Sequence, residues 1–130
     1  MDRETRDARK VERTQRKADL IAEARELSLD AIEGAFDEDL TVRAATGLIK
    51  QVVDILVILP DPIDELSDKA FSLLIDEAAK KIGRVIKKTF KRNAPRLERR
   101  IAKAKKAGRV KAAARLQAHL DAIPEKQRTS

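Results

Sequence analysis

The sequence predicts an all-α protein, a small bundle of four to five helices with a charged N-terminal helical extension. Its 130 residues are enough for one domain with one core. Aromatic residues make up 2% of the chain, whereas hydrophobic residues, many of them alanine, make up 42%. Such an aliphatic composition suits packed helices better than a β-sandwich. Apolar residues also recur every three to four positions, which is the period of a helix face.

Charge and hydropathy divide the chain into three parts. Residues 1–17 carry eleven charged residues and only two clearly apolar ones, so we predict a solvated helix extension or a mobile arm there. Residues 18–123 hold the periodic apolar positions and form the predicted bundle domain. Residues 124–130 follow a proline and form a predicted polar tail.

The first two helices of the bundle are predicted from their apolar stripes and from the turn between them. The first helix should end near Gly34 to Phe36, and the second should begin with Asp39 or Thr41 as its N-cap and end at Leu59. Apolar residues surround the second helix almost completely, which predicts that it is the central helix of the fold.

The third helix is predicted to begin at Pro62 and to end near Phe90. Proline lacks an amide hydrogen, so Pro60 ends the preceding helix, while Asp61 as N-cap and Pro62 at the first helical position form a helix start signal. The residues expected to face inward are Leu66, Ala70, Leu74, Ala78, Ile82, Val85 and Ile86.

The C-terminal part of the chain is predicted to contain one or two further helices. Asn93 to Pro95 break the chain, so the fourth helix should begin at Pro95 or Arg96. Ala107 and Gly108 either weaken this helix or turn the chain back, and the apolar face continues over residues 110–123. The residues predicted to lie in the bundle core are Ile49, Val52, Leu56, Leu74, Ile82, Ile101 and Leu116.

The sign of the charge changes along the chain. Residues 18–79 contain fifteen Asp and Glu against four Lys and Arg, whereas residues 80–116 contain sixteen Lys and Arg against Glu98 alone. A basic block of this size needs an anionic partner, either outside the molecule or within it.

The basic block follows the helical period. At 100° per residue, the cations of residues 80–92 fall within an arc of about 140°, and those of the fourth helix share the side opposite Leu97, Ile101 and Ala104. The sequence thus predicts two adjacent cationic ridges. Their residues are Lys80, Lys81, Arg84, Lys87, Lys88, Lys91, Arg92, Arg96, Arg99, Arg100, Lys103 and Lys106.

These ridges favour binding to the phosphate backbone of nucleic acid, without sequence specificity, or a role in packaging it. The block offers no Tyr or Trp for stacking and only Asn93 and Gln117 as amides, so base reading is not expected. DNA and RNA are not distinguished by this pattern.

Two other interpretations stay open. The block is a solvated helix face, or it pairs with the acidic middle of the chain, within one subunit or between subunits. Pairing between subunits favours an oligomeric structural or adaptor subunit of a viral or bacterial assembly, in which the block docks on an acidic protein surface. Because the apolar surface of the second helix exceeds what thin neighbours can cover, we also expect a homo-oligomer formed through the first two helices.

The residue inventory argues against other classes of protein. The chain has no cysteine and one histidine, His119, without a nearby nucleophile, so we expect no catalytic residues, no metal site and no cofactor. Charges interrupt the most apolar run, residues 41–59, so we expect no transmembrane span, and the apolar faces that a membrane surface would bind are needed for the core. The N-terminus has no apolar region typical of a secretory signal, which predicts a location in the cytoplasm or within a viral particle.

Overall fold

The computed structural model describes residues 2–128, and within this range it contains five α-helices and no strand. The helices are α1 (Arg3–Phe36), α2 (Val42–Val57), α3 (Asp68–Phe90), α4 (Ala94–Lys106) and α5 (Val110–Ala122), followed by a 3-10 helix at Glu125–Gln127. The predicted all-α bundle is therefore confirmed. Met1 of the predicted arm and Thr129 and Ser130 of the predicted tail lie outside the described residues.

The charged N-terminal segment is the first half of α1. Asp2 caps this helix by accepting a hydrogen bond from the Thr5 amide at 2.8 Å. Arg13 is only 4% exposed. Its guanidinium donates to the Asp64 and Leu66 carbonyl oxygens at 3.0 and 2.6 Å and lies 4.7 Å from the centre of the Phe71 ring. The segment has few apolar residues, so this arginine attaches it to the bundle.

The third helix begins later than predicted. Asp61 accepts a hydrogen bond from the Ile63 amide in a local turn, and α3 begins at Asp68 with Ser67 as its N-cap. The prediction of a start at Pro62 was wrong because the local cap signal competes with a tertiary contact. Arg13 binds the carbonyls of Asp64 and Leu66, and this contact holds residues 61–67 as an ordered loop.

The core is aliphatic with two phenylalanines. The inward face of α3 is as predicted at Ala78, Ile82, Val85 and Ile86, but the start of the helix packs with a different face. Phe71 and Ile75 are buried at its start, whereas Leu74 is 42% exposed. Of the predicted core, Leu74 was therefore wrong, and Ile49 and Leu56 are only partly buried. The predicted core residues that are buried are Val52, Ile82, Ile101 and Leu116.

Two similar turns connect the helices at one end of the bundle. After α4, Gly108 has a φ of +77°, and the Arg109 amide donates to the Ala104 carbonyl at 2.8 Å. After α1, Glu38 takes the same position with a φ of +63°, and the Asp39 amide donates to the Gly34 carbonyl at 2.9 Å. Both are Schellman turns, which reverse the chain and satisfy the last helix carbonyls.

Candidate nucleic-acid interface

The outward face of α3 forms a surface that we name the α3 ridge. Its residues are Lys80, Lys81, Arg84, Lys87, Lys88, Lys91 and Arg92, and all seven are exposed. Ile82, Val85 and Ile86 on the opposite side of the helix are buried in the core, so packing fixes the direction in which the ridge faces. At 1.5 Å per residue, Lys80 to Lys91 span about 16 Å.

Most of the α3 ridge is not neutralised by the bundle. Lys80 lies 3.6 Å from Glu77 of the same helix, an exposed pair that contributes little energy. Over residues 2–128, no ion pair joins Lys81, Arg84, Lys87 or Lys88 to a carboxylate. The ridge thus carries a net positive charge that faces solvent.

The cations of α4 have a different role, and Arg100 contradicts the prediction of an outward ridge. Its side chain is fully buried. On the helix it is only about 60° from Leu97, so it belongs to the edge of the buried face. The periodicity of Leu97, Ile101 and Ala104 therefore already indicated a buried position for Arg100. The prediction placed it on the outer face because it is charged.

Arg100 is the centre of a group that we name the charge cluster. It comprises Arg100 and Arg109 with Asp30, Glu33, Asp37 and Asp39. Arg100 Nη1 lies 3.0 Å from Asp37 and 2.9 Å from Asp39, and Nη2 lies 3.3 Å from Glu33 and 3.4 Å from Asp30. The cluster joins α1 and the following turn to α4 and α5, so it closes one end of the bundle.

Both Schellman turns position the charge cluster. The turn after α1 places Asp37 and Asp39 on either side of Arg100, and the turn after α4 places Arg109 against Glu33. Gly34 lets Leu40 of the turn pack closely against α1, because a Cβ at this position would lie 3.2 Å from Leu40 Cδ1, and it would also touch Arg100 Cδ at 3.4 Å.

Other cations of the block also pair with the acidic residues of α1 and the turn after it. Arg99 lies 2.8 Å from Asp39, and Lys103 lies 2.6 Å from Asp37. Arg115 of α5 binds Glu23 of α1. This part of the acidic middle is therefore neutralised by the C-terminal part of the basic block, within one molecule.

The pKa values of three acids in the charge cluster, Asp30, Glu33 and Asp37, shift in opposite directions. Burial raises the pKa of Asp30 to about 6, although the charges of Arg100 and Arg109 oppose this shift. The hydrogen bond from Arg109 lowers the pKa of Glu33, and the one from Lys103 lowers the pKa of Asp37. The pKa of Asp30 shifts the other way because its carboxyl is almost fully buried, and the desolvation outweighs the effect of the two arginines.

The structure thus divides the twelve predicted site residues. The seven α3 ridge residues are exposed together, whereas Arg99, Arg100 and Lys103 bind acidic residues of the bundle. Arg96 is half-buried beside the α3–α4 turn, and Lys106 is exposed at the end of α4. Arg109 was not predicted, and only its position after Gly108 could have indicated its role.

The chain matches no protein-family model, no curated protein and no solved structure. Among the described residues, no helix is long and apolar enough to cross a membrane. Function is therefore argued from the charges and surfaces of the chain itself.

Proposed function

We propose that this protein is a non-enzymatic nucleic-acid-binding protein that contacts phosphates through the α3 ridge, in the cytoplasm or within a viral particle. The ridge has no aromatic side chain at its surface, so it contacts the backbone and does not read bases. Binding or packaging of nucleic acid without sequence preference follows from such a surface.

The observation that carries this proposal is the division of the basic block. The bundle pairs part of the block with its own acidic residues, namely Arg99, Arg100, Lys103, Arg109 and Arg115, but leaves the cations of the α3 ridge aligned and exposed. The length of the ridge, about 16 Å, corresponds to about five phosphates of one duplex strand at about 3.4 Å each along the axis. The ridge therefore matches a short run of phosphates in charge and in length.

The test replaces four ridge residues that lie outside the α3–α4 turn. Lys80, Lys81, Arg84 and Lys88 are changed together to Gln, and binding to a fluorescent DNA duplex is measured by anisotropy between about 50 and 200 mM salt. Each lost phosphate contact lowers the salt slope by about 0.9, so we expect the slope to fall by up to about 3.6. Circular dichroism checks that the helices remain.

The matched control removes the same charge from other surfaces. Lys10, Lys17, Arg43 and Lys50 are changed to Gln, and these residues lie on α1 and α2. For this control variant, we expect the slope of log affinity against log salt to change by less than about 1. Equal losses in both variants, or no binding of the unmodified protein to DNA or RNA at about 50 mM salt, would exclude the α3 ridge as the interface.

A second candidate function is that of a self-associating structural subunit. Six apolar side chains are exposed along the antiparallel neighbours α1 and α2, within an arc of about 60° on each helix. They are Leu29, Ile32, Phe36, Val42, Val53 and Val57. A second copy packing the same two helices against this stripe would complete a four-helix layer.

Light scattering at tens of micromolar tests this second candidate. Self-association through the stripe predicts a dimer that Ile32→Asp and Val53→Asp together convert to a monomer, because each buries a charge in the interface. A monomer for the unmodified protein would exclude it. A monomer would also argue against the oligomeric adaptor subunit whose basic block docks on an acidic protein surface.

A further inference from the structure

A cavity of about 640 Å³ lies between the α3–α4 turn and the end of α5. Among residues 2–128, four cations line it, Lys87, Lys91, Arg92 and Arg96, and no Asp or Glu does. The cavity between α1 and α5 differs, because Asp19 and Glu23 line it together with cations. The charged side chains that line the cavity at the α3–α4 turn, within the part of the chain described, are thus all cationic.

The floor of this cavity is apolar. Phe90 and Ile123 are 2% and 5% exposed and form part of its lining, and Pro124 adds a further apolar surface. Polar side chains that can accept and donate, Asn93 and His119, also line it. Apolar walls with a few convergent polar groups are typical of small-molecule sites, whose volumes are about 300–1,000 Å³.

The turn that forms one wall is held in an uncommon conformation. Lys91 has a φ of +54°, which a side chain disfavours. His119 Nε2 lies 2.8 Å from the Lys91 carbonyl oxygen and so joins the turn to α5. Lys91 and His119 both line the cavity, so this contact joins two of its walls.

Arg96 has no ion pair in the bundle. It is half-buried, its Nε has no hydrogen-bond partner within residues 2–128, and no carboxylate lies within ion-pair distance of it. Arg100, one turn later on α4, has four carboxylate partners. A guanidinium without an anion beside a cavity is suited to bind a phosphate, which accepts two of its hydrogen bonds.

We propose that this cavity binds a small organic phosphate, a phosphomonoester whose apolar or planar body rests on Phe90, Ile123 and Pro124 while Lys91 and Arg96 hold the phosphate. This goes beyond nucleic-acid binding, because a free small molecule needs no contact with Lys80, Lys81, Arg84 or Lys88. The protein would then bind two ligands, nucleic acid along the α3 ridge and a small organic phosphate at the C-terminal end of the ridge, beside Lys91.

Calorimetric titration of the full chain with adenosine 5′-monophosphate at about 150 mM salt tests the proposal. Inorganic phosphate lacks the apolar body and adenosine lacks the charge, so we expect each to bind at least about tenfold more weakly. Amide chemical shifts should change at Asn93 and Ile123 and not at Lys81. Equal affinity for inorganic phosphate, or no binding of the monophosphate, would overturn the proposal.

Variants distinguish the cavity from the general charge of the ridge. Arg96→Gln and, separately, Lys91→Gln should each weaken monophosphate binding about tenfold. The matched controls Lys81→Gln and Lys105→Gln remove the same charge outside the cavity and should leave the affinity within about twofold. If the controls weaken binding as much as the cavity variants do, the monophosphate is attracted by net charge alone and the site does not exist. Because Lys91 is exposed, its variant tests the site even if Arg96→Gln impairs folding.

Discussion

At the scale of single residues, the Arg100 guanidinium joins α4 to the acidic residues of α1 and the turn after it. It is fully buried, and four carboxylates lie within 3.4 Å of its guanidinium nitrogens. Burial alone would lower its pKa, but the charge of Asp30 and the hydrogen bond to Asp37 raise it above the usual value. The arginine therefore remains charged, and its removal would leave buried acids without a partner.

We expect Arg100→Met to lower the free energy of unfolding by about 3–5 kcal/mol, because Asp30 and Asp39 would keep their burial and lose their main counter-ion. Urea denaturation at pH 7 measures this loss. The matched variant Arg99→Met removes an exposed partner of the same Asp39 and should cost less than about 1 kcal/mol. Similar costs for the two variants would contradict the role assigned to Arg100.

Asp30 makes the free energy of unfolding decrease as the pH rises, whereas Glu33 and Asp37 make it increase. Its carboxyl titrates near 3.8 when unfolded and near 6 in the fold, so between these values the folded chain binds the extra proton. The stability that protonated Asp30 contributes is complete below pH 3.8 and is lost as the pH rises through 6. The lowered pKa values of Glu33 and Asp37 act in the opposite direction, because their contribution is lost as the pH falls through the folded values.

Asp30→Asn isolates the contribution of this residue. The variant cannot ionise, so its stability relative to the unmodified protein should increase between pH 4 and pH 7, by an amount on the order of 2–3 kcal/mol. Urea denaturation of both proteins at each pH measures the difference. A difference that stays constant or decreases over this range would show that Asp30 is not destabilised by burial.

At the scale of elements, the turns determine where the charges meet. Glu38 occupies a left-handed position, φ +63°, at which glycine is usual, while Gly108 takes the equivalent place after α4. The side chain at position 38 is exposed, so nothing in the bundle requires a glutamate there. The α1–α2 turn consequently holds a residue in a strained backbone conformation.

Glu38→Gly should raise the free energy of unfolding by up to about 1 kcal/mol, since glycine adopts a positive φ without steric cost. Thermal and urea denaturation measure the gain. Gly108→Ala is the complementary variant and should lower stability by about 1 kcal/mol for the same reason. A loss of stability in Glu38→Gly would indicate that the glutamate carboxylate contributes more than the backbone strain costs.

The helices were largely predictable from the sequence, because apolar periodicity and N-caps act locally. Thr41 was one of two N-caps proposed for the second helix, and the structure selects it. The start of α3 was not predictable, because it depends on Arg13, which is about fifty residues away in sequence. The division of the basic block could not be predicted either, since it requires knowing which helices are neighbours.

At the scale of the whole molecule, ion pairs between the acidic and basic parts of the chain hold the helices together at one end of the bundle. A cationic surface stays exposed elsewhere. The acids of α1 and the turn after it bind α4 and α5 through the charge cluster and through Arg115. Lys81, Arg84, Lys87 and Lys88 of the α3 ridge form no ion pair with a carboxylate in the part of the chain described. A modest net charge of +7 therefore conceals a surface that is strongly cationic on one side.

The salt dependence of the unmodified protein's affinity for a DNA duplex tests this division most directly, because its slope counts the phosphates that are neutralised. If the seven α3 ridge residues provide the interface, the slope of log affinity against log salt should lie between about −3 and −6. If all twelve predicted cations contacted phosphate, it would approach about −11. A slope near −11, or a slope near zero, would contradict the account in which cations of α4 and α5 form ion pairs within the bundle and the α3 ridge binds nucleic acid.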